Sequence, residues 1–366
     1  MSDSPHRVNR PMQRGRVALI GDVGGHADEL ENALDDLGVD VDTGTMPEDL
    51  TVVQVGDLVD RGPDSARVVE IVDRCSTTVQ WVQLVGNHEG AHCGGPRFTE
   101  ADKLDLHTVM RVSAWWPDRM VAAATVDTPD GSLLVTHAGL TAGFWHQIGR
   151  PPSAMTAACI LNDRDAVRVD DLFRPGCLIQ GEPVRFDAGP VWAEAARELY
   201  PSLLAAGEAS NPVPFGQVHG HSSPYNFRDR QWRNPRLAEY LTIDKAARQT
   251  HGTVGGQRLH GIDPALGRYA GVTWKPLVFE NAIVTEPNIW GAIGACLEVM
   301  DEADFPDLAP VNARCLILRL GVHRQPRHIQ QAAISRWLAN PDVPYQPHLL
   351  VSLQQRGYDT DSAAAR

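Results

Sequence analysis

Residues 16–22 read RVALIGD, residues 51–57 read TVVQVGD and residues 79–87 read VQWVQLVGN. In each, an apolar run rich in Val, Leu and Ile stops at Gly followed by Asp or Asn. Such a run fits a buried strand whose carboxyl end delivers a polar side chain into a loop. The segments between follow another period. ADELENALDDLG (27–38) places Leu30, Leu34 and Leu37 at helical spacing, with Gly38 as a C-terminal cap. SARVVEIVDRC (65–75) reads as a second helix. The strand–helix alternation predicts an α/β fold.

Working outward, 99–116 reads as a helix. RMVAAATVD (119–127) and SLLVTHAGL (132–140) read as two strands joined by a TPDG turn. A further helix is expected over 188–204 (AGPVWAEAARELYPSLL) and a strand over 214–221 (PFGQVHGH). LAEYLTID (237–244) and GRYAGVTWKPLVFE (267–280) read as late β structure. Beyond them NIWGAIGACLEVMDEA and HIQQAAISRWLAN read as helices flanking a strand, ARCLILRLGV. The expected organisation is a disordered tail over 1–15, a catalytic domain over 16–285, a C-terminal extension packed on it over 286–350, and a loose tail over 351–366.

Of the 366 residues, 43% are hydrophobic, enough to bury a sizeable core. The net charge of -13 argues against general nucleic-acid binding, which needs basic surface to replace counterions, but leaves room for a small phosphate in a local pocket. No apolar run is long enough to span a membrane. The basic residues of MSDSPHRVNRPMQRGR are not followed by the apolar segment of a secretory leader. Six cysteines without a CxxC pair read as reduced thiols. A cytoplasmic location is expected from these features.

Strand after strand ends in chemistry: Gly-Asp twice, then GNHE, then THAG. Polar residues gathered past the carboxyl ends of strands mark an active site in an α/β sheet. Asp, Asn and His are oxygen and nitrogen donors, suited to Mn, Fe, Zn or Co. Paired ions of that kind hold phosphate oxygens and lower the pKa of a water so that it attacks as hydroxide. In GDLVDRG, Asp57 is suited to bridge two ions and Arg61 to grip phosphate with a forked pair of hydrogen bonds. His88 is placed to protonate a leaving oxygen, with Asp60 to orient it.

This set resembles the calcineurin-like metallophosphoesterases, within them the bacterial phosphoprotein (serine/threonine) phosphatase branch. The matching segments are GDVGGHADEL at 21, GDLVDRGPDS at 56, GNHEG at 86, VTHAGL at 135 and VHGHSS at 218, in the family's order, with weaker support from VWAE at 191 and TIDKAA at 242. The resemblance covers about residues 16 to 280. It implies a two-sheet β-sandwich flanked by helices, and one or two divalent metal ions, manganese first among them. It implies Asp22 on the first metal, Asp57 bridging, and Asn87, His137 and His221 on the second. His88 with Asp60 would be the acid pair and Arg61 the phosphate contact; Arg185 and Arg197 are candidates for a second. The substrate implied is a phosphoserine or phosphothreonine protein. A dinucleoside polyphosphate or other nucleotide is the alternative, and a small phosphate ester the third.

One position departs from the pattern. The family's first motif carries a metal-binding His two residues after its Asp; here that residue is Gly24, and His26 follows two positions later. His26 is either a displaced ligand or an ordinary loop residue. The departure keeps a reading from another class open, a catalytically dead phosphate- or partner-binding module. A zinc-peptidase reading rests on His88-Glu89-Gly90-Ala91-His92, an HExxH pattern that needs a helix. Its internal Gly and the following CGGP oppose one. His92, His107 and His146 read as surface or loop residues, His219 as packed or solvent-facing, Trp115 and Trp116 as packing residues, and Trp192 as a candidate for the site wall.

Overall fold

The three quoted runs form β1 (Gly15–Ile20), β2 (Leu50–Gln54) and β3 (Trp81–Leu84) in a computed structural model that describes residues 14–285 apart from 79, 99–103, 117–118, 164–166 and 268–270. Helix α1 (Ala27–Asp36) joins the first pair and α2 (Ser65–Cys75) the second. β1 pairs parallel with β2, and β2 with β3, as helical crossovers demand. Asp64 starts α2 by accepting the Arg67 N–H at 3.0 Å. After β3 come a single helical turn, α3 (Asn87–Gly90), and α4 (Leu106–Trp115), capped by Asp105 through the Thr108 N–H.

The second half of the sheet is built from β5 (Ala123–Thr128), β6 (Gly131–Thr136) and β7 (Gly216–His219), preceded by the two-residue β4 (Met120–Val121) on β3. Between β6 and β7 run α5 (Ala142–Gln147), α6 (Ala154–Asn162), α7 (Val169–Leu172) and α8 (Tyr200–Glu208). A small hairpin, β8 (Tyr225–Asn226) with β9 (Gln231–Trp232), stands apart. β10 (Leu241–Asp244), β11 (Gln249–Val254) and β12 (Gln257–Gly261) extend β7, and β13 (Leu277–Thr285) closes the arrangement. The strand order is β10-β11-β12-β7-β6-β5-β13-β1-β2-β3-β4.

β13 serves two sheets. Its first part pairs with β1 and its last residues with β5. Where it crosses over, the register slips and Asn281 sits at φ +52°, a bulge that turns the strand. The two halves therefore fold face to face. Val17, Leu19, Val53, Val55 and Leu84 from one sheet share a single buried cluster with Val126, Leu133, Val135, Val218 and Val284 from the other. That is the expected two-sheet sandwich, with helices on its outer faces.

The consequence for function is geometric. β1, β2 and β3 run parallel in one sheet; β6, β7 and β12 run parallel in the other. Six carboxyl ends, three from each sheet, supply the loops of the site.

Several elements differ from their sequence reading. The helix expected over 99–116 starts at Leu106, because Asp105 caps it there. RMVAAATVD is two strands, not one: Asn162 Oδ1 accepts the N–H groups of Ala122 and Ala123, breaking the run where it passes between sheets. The 188–204 helix begins late, as a wide π-type turn over Ala195–Leu199 leading into α8. Pro201 in the first turn of α8 has no N–H to continue a regular ladder from the preceding turn. Of LAEYLTID, Leu237–Glu239 fall in a 3-10 turn and only Leu241–Asp244 are strand. Among the described residues of GRYAGVTWKPLVFE, strand structure starts at Leu277.

The chain divides into two units, Met1–Asn162 with Val167–Pro287, and Asp163–Ala166 with Asn288–Arg366; the site belongs to the first. Residues 1–13 of the expected tail, the extension over 286–350 with its helices and strand, and the 351–366 tail lie outside the described residues. Cys75, Cys93 and Cys177 are free thiols. No helix among the described residues is long and apolar enough to cross a membrane.

Candidate metal centre

The loop after each strand places its donor by a specific tether. Asp57 follows β2 and lies at φ +57°; Asp60, Arg61 and His221 also take left-handed backbone. Such strain in non-glycine residues gathers where the surroundings hold a site in shape. Part of the hold comes from Glu89, a fully buried carboxylate. It accepts N–H groups from Asp57 at 2.8 Å, Leu58 at 2.7 Å, Val59 at 3.3 Å and Gly86 at 3.0 Å, fastening the loops after β2 and β3 together. The Gly220 N–H donates to the His137 carbonyl at 2.8 Å, joining the loops after β6 and β7.

Four donor atoms converge between these loops. His137 Nε2 lies 3.0 Å from Asn87 Oδ1 and 3.3 Å from Asp57 Oδ1. His221 Nδ1 lies 2.8 Å from the same Asn87 oxygen and 3.2 Å from His137 Nε2. The Val55 carbonyl receives His137 Nδ1–H at 2.9 Å, which turns the other ring nitrogen, with its lone pair, to the cluster. Ligand bonds of about 2.0–2.2 Å to one ion give donor–donor edges of this size. Asp57, His137 and His221 form the one carboxylate–imidazole group among the described residues placed to hold a metal ion.

Next to that cluster, Asp22 Oδ1 accepts the His221 N–H at 2.9 Å, and its Oδ2 is buried without a hydrogen-bond partner. Asp57 Oδ2 and His88 Nε2 are likewise unpartnered and face one another at 3.7 Å. His88 Nδ1 and Asp60 Oδ2 are 2.6 Å apart, the oriented imidazole expected from the sequence.

The charges are strongly mutual. Burial raises the pKa of Asp57, but His137 and His88 outweigh it and hold the carboxyl well below its usual range. Burial lowers His137, but Asp57 wins and lifts it to about 9. Burial, then His137, keep His221 well below the imidazole range and so neutral. Asp22 moves upward, through burial and then Asp263; burial raises Asp263 as well. A pocket with these opposed shifts needs positive charge, and its donor set fits divalent ions.

All eight residues singled out by sequence, Asp22, Asp57, Asp60, Arg61, Asn87, His88, His137 and His221, belong to this constellation. Asp22, Asp57, Arg61 and His88 line one pocket with Asp263 and Gly267. The other candidates stand elsewhere. His26 Nε2 is 3.0 Å from the Gly267 carbonyl, and His26 lies outside the metal-donor group. Arg185 pairs with Asp187 and Arg197 with Glu194; neither lines the Asp22 pocket. His219 is packed, 2.9 Å from Tyr200 Oη, with a pKa lowered by burial to about 4. Trp192 is buried, its ring edge-on to His221 and Phe98. Helix α3 ends before His92, so the peptidase geometry does not form. Sequence reading missed Glu89 and Asp263. The one trace of Asp263 in the sequence is the Gly-Ile-Asp that follows the polar strand QRLHG, a weaker echo of the Gly-Asp ending ALIGD and VVQVGD.

Comparison with known proteins bears on this arrangement. The model of the calcineurin-like phosphoesterase family matches residues 15–252. The chain is 37% identical over 75 residues to the asymmetrical bis(5'-nucleosyl)-tetraphosphatase PrpE of Oceanobacillus iheyensis, covering 20% of this chain and 30% of that protein. It is 28% identical over 138 residues to the protein of the same name from Halalkalibacterium halodurans, covering 33% and 56%. The matches thus span 30% and 56% of the length of these curated relatives. Among solved structures, a cold-active protein-tyrosine phosphatase of a Shewanella species aligns at 15% identity with a TM-score of 0.44, over 78% of this chain and 82% of that one.

Proposed function

The chain belongs to the calcineurin-like phosphoesterase family, hydrolases of phosphoester bonds, and on that footing we propose that it cleaves a dinucleoside polyphosphate with the help of manganese. The observation that carries the metal-dependent chemistry is the convergence of His137 Nε2, His221 Nδ1, Asn87 Oδ1 and Asp57 Oδ1 within 2.8–3.3 Å of their neighbours. Divalent ions bound by such donors polarise the phosphate and supply a nucleophile at neutral pH.

The chain's own residues do the rest. Asp22, Asp57, Asn87, His137 and His221 hold the ions. Arg61 binds the non-bridging phosphate oxygens. His88, held by Asp60 through Nδ1, presents Nε2 to the leaving oxygen and gives it a proton. The nucleotide preference is supported by the names of the two relatives. A second reading, a phosphoserine or phosphothreonine protein substrate, is supported by the GDLVDRG and GNHEG motifs.

Hydrolysis of p-nitrophenyl phosphate with added Mn²⁺ tests the class; well-folded protein without turnover under any divalent metal refutes it and leaves the binding-module reading. A panel of diadenosine tetraphosphate, phosphopeptides and sugar phosphates then separates the substrates. Turnover of phosphopeptides alone would overturn the nucleotide assignment.

A further inference from the structure

Two buried groups beside the centre take no part in the chemistry described so far. Tyr200, the first residue of α8, and His219, the last of β7, are both fully buried. Tyr200 Oη lies 2.9 Å from His219 Nε2, and His219 Nδ1 lies 2.9 Å from the Gly220 carbonyl oxygen. A carbonyl can only accept, so Nδ1 carries a proton and Nε2 is left to accept the Tyr200 O–H. Room for the ring comes from Gly261, its partner in β12, where a Cβ would lie 3.3 Å from His219 Cε1 and Nε2.

The Gly220 carbonyl has a second donor. It accepts the Ser222 N–H at 2.7 Å, closing a tight turn whose central residue is His221, at φ +61°. A bond from residue i to i+2 around a positive φ is the rare, strained form of γ-turn. A non-glycine residue keeps that backbone only where its surroundings hold it. Here the Gly220 N–H donates to the His137 carbonyl at 2.8 Å and the His221 N–H to Asp22 Oδ1 at 2.9 Å. Ser222 Oγ accepts the Ala195 N–H at 2.9 Å. The His219 imidazole holds the carbonyl that closes the turn. His221 leaves this turn with Nδ1 2.8 Å from Asn87 Oδ1.

We infer that Tyr200 and His219 are positioning residues for the metal ligand His221. The Tyr200 hydroxyl fixes the His219 tautomer, and Nδ1–H then locks the carbonyl that shapes the His221 turn. This rests on the metal-dependent reading of the site given above.

Imidazole nitrogen NMR of the isotope-labelled, metal-free full-length chain reads the tautomer directly. His219 is expected to carry its proton on Nδ1; a proton on Nε2 instead would overturn the inference without any variant. Calorimetric titration with Mn²⁺ reads the consequence. Tyr200→Phe removes only the hydroxyl and is expected to weaken binding of the ion that His221→Ala loses by about tenfold, with kcat recovering at saturating Mn²⁺. His219→Asn keeps an amide N–H near the position of Nδ1 and is expected to bind that ion more tightly than His219→Leu. Tyr200→Phe added to His219→Asn is expected to cost nothing further. A loss equal to that in the wild-type background would mark a merely structural role and overturn the inference, as would wild-type affinities in Tyr200→Phe. A wild-type chain that binds no divalent ion would overturn the metal-dependent function itself, and this inference with it.

Discussion

The two halves of the centre are built on opposite plans. Around Asn87, His137 and His221, two imidazoles and an amide meet one carboxylate, and each ring is oriented by a backbone or side-chain contact. Around Asp22, three carboxylates, Asp22, Asp57 and Asp263, line one pocket. The first plan is complete within itself; the second assembles like charges that only a cation reconciles.

The comparison can be broken most forcefully at its nitrogen-rich half. His137→Ala removes a donor that touches both Asn87 and Asp57 and is expected to bring hydrolysis to background, measured as steady-state turnover with saturating Mn²⁺. His88→Gln leaves the metal donors in place. It is expected to lower kcat by roughly 10²–10⁴-fold, with a smaller loss on p-nitrophenyl phosphate, whose leaving group needs little protonation. An equal loss on both substrates would argue against a proton-donor role. Arg61→Ala, on the carboxylate side, is expected to raise KM by about 10–100-fold, in line with one or two hydrogen bonds to a charged phosphate, with less effect from Arg61→Lys.

The smallest effect is a pH dependence that distinguishes proton from metal. His137 is raised from 6.5 to about 9 in the folded chain. A group with a raised folded pKa contributes stability below its unfolded value and loses it as pH climbs through the folded one. Metal-free protein is therefore expected to lose unfolding free energy between about pH 6.5 and 9, with Mn²⁺ affinity rising over the same window. Urea unfolding at stepped pH, with and without Mn²⁺, reads both; a flat metal-free profile would sink the assignment of the proton to His137.

Much of this could be read along the chain. Glycine-terminated apolar runs name β1, β2 and β3, because a strand buried on both faces leaves a near-continuous apolar signal. Asp22, Asp57, Asn87 and His88 follow directly, being adjacent to those runs. His137 and His221 follow from the next two strands. Glu89 was hidden inside the GNHE motif, where only the folded loops reveal that its carboxylate gathers four N–H groups. The hairpin of β11 and β12 carries too few apolar residues in alternation to stand out, so Asp263 at its end was missed.

By itself, then, the sequence determined which strand ends carry donors, and that a histidine is lacking at Gly24. Periodicity and adjacency are local properties, and local properties survive in a linear string. Tertiary structure alone decided that six strand ends from two sheets meet, that His26 turns to the Gly267 carbonyl, and that Asp263 lines the same pocket as Asp22. Each of those depends on β13 crossing between the sheets at its bulge, a long-range event that no window of residues records.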